Sequence, residues 1–203
     1  MRRALKARLM LMLGVIMAFG AVSAAAQSVD ILETGKSPIE AKFVSLGQIR
    51  MDICSSGVNV VGKDQTSINV SYSSKRDDGD VRVHLRVDGS RAELQISRCP
   101  NNDFRVTIEV PKRTDLFIRI PAGQLDLDHV EGNKDLEIHA GQINVELGQT
   151  DDYRKVDASV YTGQVDAPAY QVSKGGLFRS FERTGPGEYR LHAHVAAGQI
   201  NLR

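Results

Sequence analysis

Along most of the chain apolar and polar residues alternate with a period of two, and at a few places the alternation slips by one residue. Leu136, Ile138 and Ala140 are followed by Ile143, Val145 and Leu147, and Leu191, Ala193, Val195 and Ala197 by Ile200 and Leu202. A period of two is that of a strand with one buried face. Each slip falls on one phrase, a small or apolar residue, Gly-Gln, then an aliphatic. It is written at Leu46 to Ile49, Ala122 to Leu125, Ala140 to Ile143, Thr162 to Val165 and Ala197 to Ile200. A strand that changes parity needs one extra residue, at a bulge or a corner, and glycine tolerates the positive φ such bends demand. Gly47, Gly123, Gly141, Gly163 and Gly198 are therefore predicted to be corners of a repeated β-unit.

From Gly123 onward the Gly-to-Gly spacings are 18, 22 and 35. Coils of about 20 residues fit the first two. The third is lengthened by Gln171 to Glu188, read as a hairpin or loop added to one coil. Stacked coils would bring the corner glutamines together in a hydrogen-bonded amide ladder; the plainer expectation is that they face water.

The N-terminal half reads differently. Residues 27–42 form a polar lead-in, with a first strand expected near Ile39. Phe43 to Ile53, Val58 to Val61, Ser67 to Ser73, Val81 to Val87 and Ala92 to Ser97 alternate, and Asp88-Gly89 joins the last two as a hairpin turn. No useful stretch after residue 26 carries apolar residues three and four apart, so helix is not expected. The class is all-β, β-solenoid-like stacked coils with antiparallel hairpins in the N-terminal half. One β-repeat domain is expected over 27–203, hairpin-rich at 27–103 and Gly-Gln-repetitive at 104–203.

The first residues give an address. Arg2, Arg3, Lys6 and Arg8 precede the apolar run Leu9 to Phe19, and Ala24 to Ala26 supply a cleavage site. This is a secretory signal peptide over 1–26, too short in its apolar run for a membrane span. It holds four of the 26 Lys and Arg and no acid, so the exported chain carries 22 bases against 25 acids. That mild balance argues against a nucleic-acid footprint. In an oxidising compartment Cys54 and Cys99 are expected to pair as a disulfide, there being no CxxC and no His at ligand spacing to make a redox or metal pair.

Together with the leader, three segments carry a resemblance: TIEVPKRTDLFIRIPAGQLDLDHVEG (107–132), LEIHAGQINVEL (136–147) and AHVAAGQINL (193–202). They resemble the bacterial putative-adhesin domains of unknown function, related to auto-transporter adhesin heads. The matching positions are Val110, Pro111 and Leu116, then Gly123 to Leu125, Val130 and Gly132, then Gly141 to Ile143. The resemblance spans roughly residues 40 to 203 and implies an adhesin-like β-repeat fold. It implies no catalytic residue, and Gln stands here where that family often has Asp or Asn.

Among candidate site residues, Asp126, Asn144 and Asp166 follow successive Gly-Gln corners at the same offset, with Asn201 at the equivalent place. Stacked coils would align them in an outer stripe suited to a cation or a glycan. His192 and His194 share an outward strand face, as a polar surface or a metal pair; His129 and His139 stand near acids, and Asp77 to Asp80 reads as a hairpin turn. No nucleophile elbow, metalloprotease helix or phosphate loop occurs. The expectation is an exported, non-enzymatic envelope scaffold without a cofactor, located in the periplasm or at the bacterial cell surface. Its expected partner is a protein or glycan, and its open ends could associate end to end. The alternatives are a polysaccharide-active enzyme using Glu137 and Asp126, or a periplasmic assembly partner.

Overall fold

The slips in the alternation become creases in a sheet. The structure, a computed structural model, describes residues 28–74, 80–101 and 103–203; the leader and most of the turn read at Asp77 to Asp80 lie outside these. Thirteen strands follow: β1 (Ser28–Thr34), β2 (Ile39–Lys42), β3 (Gly47–Ile53), β4 (Ser56–Lys63), β5 (Ser67–Ser73), β6 (Arg82–Asp88), β7 (Arg91–Ser97), β8 (Arg105–Pro111), β9 (Thr114–Asp128), β10 (Lys134–Val145), β11 (Tyr153–Ala167), β12 (Val172–Thr184) and β13 (Tyr189–Leu202). Thr150–Asp152 and Pro168–Tyr170 are single 3₁₀ turns.

The strands form one mixed sheet, and each long strand pairs through two arms. On β9, residues 114–119 pair with β3 while 123–128 pair with β4. So β3 and β4 together match one long strand, and β7 with β8, β5 with β6, and β1 with β2 do likewise. Inward residues of both arms, such as Leu116 and Ile118 on one and Leu125 and Leu127 on the other, belong to one buried core. The sheet is therefore folded along the line of corners, with its apolar faces looking at each other across that core.

The corners explain the glycines. Gly123, Gly141, Gly198 and Gly163 lie side by side, with φ between +139° and +147°. At Gly141 a Cβ would fall inside the carbonyl oxygen of Gly123. Both the torsion and the close approach of neighbouring backbones exclude a side chain there. Gly47 is different: it opens β3 opposite Thr114, at the far end of an arm. The corner of its rung is at Ser56, which sits beside Gly123. Gly47 is small because the Phe43 ring and the Ser90 carbonyl crowd it.

All-β structure with antiparallel pairing in the N-terminal half is present, but the rungs are not successive coils in chain order. In space they run β1–β2, β6–β5, β7–β8, β3–β4, β9, β10, β13, β11, β12. Only β9 and β10 are consecutive, parallel and adjacent in the manner expected of coils. The expected solenoid thus gives way to an open mixed sheet. The segment read as an added hairpin is a full rung, β12, antiparallel to β11, and the polar lead-in contains β1, whose Val29 and Ile31 cover the core. β13, the last strand in the chain, lies between β10 and β11, parallel to both.

Two further features hold the rungs. Cys54 and Cys99 are paired, with Cα atoms 6.0 Å apart, and tie the corner between β3 and β4 to the one between β7 and β8. Lys134 begins β10 with only 2% of its surface exposed. Its Nζ donates to the Gly132 carbonyl at 3.0 Å and to the Tyr153 hydroxyl at 2.9 Å, and lies 5.1 Å from the centre of the Tyr153 ring. Burial lowers its pKa to about 8, against the pull of Asp115 and Glu131.

Candidate functional site

Three residues beyond each corner stands a polar side chain pointing away from the core. Asp126, Asn144, Asn201 and Asp166 are successive neighbours in that order. Asn144 Nδ2 donates to Asp126 Oδ1 at 2.7 Å, and Asn201 Nδ2 donates to Asn144 Oδ1 at 2.6 Å. The structure thus brings the stripe residues together, with Asn201 between Asn144 and Asp166. Asn144 is only 6% exposed, covered by its neighbours in the row.

The corner glutamines brace this row instead of bonding one another. Gln124 donates to Asp126, Gln142 to Asn144, Gln164 to Asp166 and Gln199 to Asn201, at 2.7–3.0 Å. A residue two further along a strand lies on the same face, and a glutamine is long enough to reach it. Gln199 also donates across to Asp166 Oδ2 at 3.0 Å. The ladder runs through the Asp and Asn positions, with the glutamines as its side rails. Hydrogen bonds from Ser173 and then Gln164, with a smaller one from Gln199, hold the Asp166 carboxyl below its usual range despite some desolvation.

Two members of the row escape a reading based on Gly-Gln. Asn59 stands opposite Asp126, three residues after Ser56, and Ser173 stands opposite Asp166 on the reversed strand β12. The shared offset from a corner was the available signal, masked because one corner is a serine and the other strand runs backwards. Ser173 Oγ donates to Asp166 at 2.5 Å. Among the described residues Asn59 Oδ1 is the buried side-chain oxygen that lacks a hydrogen-bond partner.

Asn59 and Asp126 of the row line a groove of 1210 Å³ that follows the corners. Its lining includes the backbone of Gly57, Gly123, Gly141, Gly198, Gly163 and Gly176, with the four glutamines, Asn59 and Asp126 along it. Hydrogen-bonding groups therefore repeat along the groove at the spacing of neighbouring strands, about 4.8 Å.

The other arm carries a separate polar face. Arg119 contacts Asp135 at 3.2 Å and Glu137 at 2.8 Å, and His192 Nδ1 lies 3.1 Å from Asp135 Oδ1. Burial would raise the Asp135 pKa, but hydrogen bonds from Arg119 and His192 hold it below its usual value. His194 meets Ser159 at 3.0 Å and the edge of Tyr161; His129, at the far end of the arm that carries the row, pairs with Glu146 at 3.2 Å. Glu137 and His139 line a cleft of 390 Å³ on this arm, whereas Asp126 lines the corner groove. Glu137 and Asp126 thus face different surfaces. Among the described residues no three His, Cys, Asp or Glu side chains are grouped to hold a metal ion.

No family model matches the sequence, and no curated protein matches it. Among solved structures the chain is similar to a putative cell adhesion protein from Clostridium sporogenes, with 16% identity and a TM-score of 0.47 over 82% of this chain and 99% of that one.

Proposed function

We propose that this chain is an exported, non-enzymatic scaffold of the bacterial envelope, adhesin-like in role, whose corner groove holds an extended glycan or peptide strand. The observation that carries the reading is the groove itself, which repeats the same neutral hydrogen-bonding groups rung after rung. A polymer of hydroxyls or peptide groups can match such a repeat over many units; a compact metabolite cannot. Export is supported by the leader over residues 1–26 and by two cysteines at disulfide distance. Residues 27–203 are read as one unit, because a single core draws side chains from Ile39 to Leu202.

The test is a glycan array and a peptide array probed with the exported chain and with Gln142→Trp, which fills the groove at mid-length. Binding by the first and its loss in the second is the expected result. Equal binding by both would remove the groove, and no binding to either array would remove the contact role. Protease shaving of intact host cells then distinguishes a surface location from the periplasm.

A further inference from the structure

Among the described residues the stack has two open ends, and their core-facing side chains differ. At one end Val29, Ile31 and Glu33 of β1 stand opposite buried Val87, Leu85 and Val83, and Ile39 of β2 opposite Val70. At the other, Arg179, Phe181 and Arg183 of β12 stand opposite buried Val160, Ala158 and Val156, with Val172 and Lys174 opposite Ala167 and Val165. Cross-strand partners share a face, so β12 turns three cations towards the core side while β1 turns one acid. Inward charges at an edge oppose pairing of like with like. Two β12 edges would set cations against cations, since both arms of β12 carry them.

We propose that copies of this chain stack head to tail, the β12 end of one on the β1–β2 end of the next. The register follows from the rows already present. One row runs Val29, Val87, Ala92, Ile49, Leu116, Lys134, Leu191, Val156, Arg183. Continued into a second copy, it sets Arg183 over Val29, Phe181 over Ile31 and Arg179 over Glu33. The corresponding row on the other arm sets Val172 over Ile39. β1 runs parallel to β11 through the stack and β12 runs against it, so the new pair is antiparallel.

Apolar residues meet apolar residues, and a guanidinium meets a carboxylate. Glu33 already holds Lys36 at 2.9 Å, and Arg179 Nε donates to the Gly175 carbonyl at 2.9 Å; a guanidinium has further donors to offer. On the outward face Asp30 comes over Glu182, but each already has its own partner, His84 and Lys155, both at 2.7 Å. The contact is heterologous and leaves each added copy with a free end, so it propagates.

The experiment is sedimentation velocity of the exported chain over a concentration series to millimolar, with Glu33→Arg, Arg179→Glu and their equimolar mixture. The wild type is expected to at least double its weight-average mass. Each variant alone sets like charges together and stays monomeric. The mixture restores both interfaces in alternation and recovers the wild-type rise, which a folding defect could not do. A wild type that is monomeric throughout, variants that assemble as it does, or a mixture that stays monomeric would each overturn the proposal. A second readout is the double variant Leu32→Cys, Ser180→Cys, whose cysteines face one another only between copies. Oxidation should give a ladder of multiples on a non-reducing gel, and a lone monomer band would count against the stack.

Discussion

Asn144 Nδ2 donates to Asp126 Oδ1 at 2.7 Å across two rungs whose order in space is also their order in the chain. The bond is short, shielded and shared, because the Asn144 carbonyl also accepts from Gln142 and Asn201. Replacing Asn144 by Ala takes one partner each from Asp126 and Asn201, leaving them only the bonds from Gln124 and Gln199. The expected loss is about 1–3 kcal/mol, read as a lower midpoint in thermal unfolding. Asn144→Asp should be worse at neutral pH, with carboxylates adjacent in the row, and should recover as pH falls. An unchanged midpoint for Asn144→Ala would show the row to be ornament on a stack held by its core.

Gly141→Ala tests the corner. Its φ of +140° and the approach of the Gly123 carbonyl leave no room for a methyl group. The substitution should cost about 4 kcal/mol or more, at the far end of single-residue effects. Gly148→Ala, also at positive φ but with nothing near its Cβ, should cost about 1 kcal/mol. Comparable unfolding midpoints for the two would contradict the packing argument.

Lys134 predicts a pH dependence. Its folded pKa of about 8 lies below the ordinary lysine value of 10.5. Between those pH values the unfolded chain holds a proton that the folded chain has released. Stability from this group therefore rises from about pH 8 upward, by up to about 3 kcal/mol. Tyr153 acts the other way above pH 10, since burial raises its phenol and the unfolded chain ionises first. Denaturant midpoints for wild type should climb from pH 7 to pH 10, and Lys134→Met should flatten that climb.

Reduction tests the corner cystine. The pair Cys54–Cys99 closes a separation of 45 residues, for which chain entropy gives about 4 kcal/mol. Cys54→Ser with Cys99→Ser should lower the melting midpoint by a comparable free energy, and added reductant should reproduce the shift in the wild type.

Local features were legible in the alternation because strand parity is a local property. The slip between Ala140 and Ile143 marks a corner wherever the rung is placed, and the equal offset of Asp126, Asn144 and Asp166 follows from it. Gly47 misled because its phrase matches while its neighbours, Phe43 and Ser90, supply a different reason for a small residue. The order of rungs was not legible. Each rung offers the same inward aliphatics and an equivalent edge, so pattern alone lets any rung lie beside any other. What selects the order is connection length and particular contacts, such as Cys54 with Cys99 and Arg119 with Asp135.

The place of β13 has a consequence for the timing of assembly. β10 and β11 both precede it in synthesis, yet each keeps an unpaired edge until β13 slides between them. A chain made N-terminus first thus has a slot in its middle that, in the native pairing, no strand before residue 189 fills. Completion of the native sheet therefore waits for the last strand, Tyr189–Leu202, whose two edges close it on both sides.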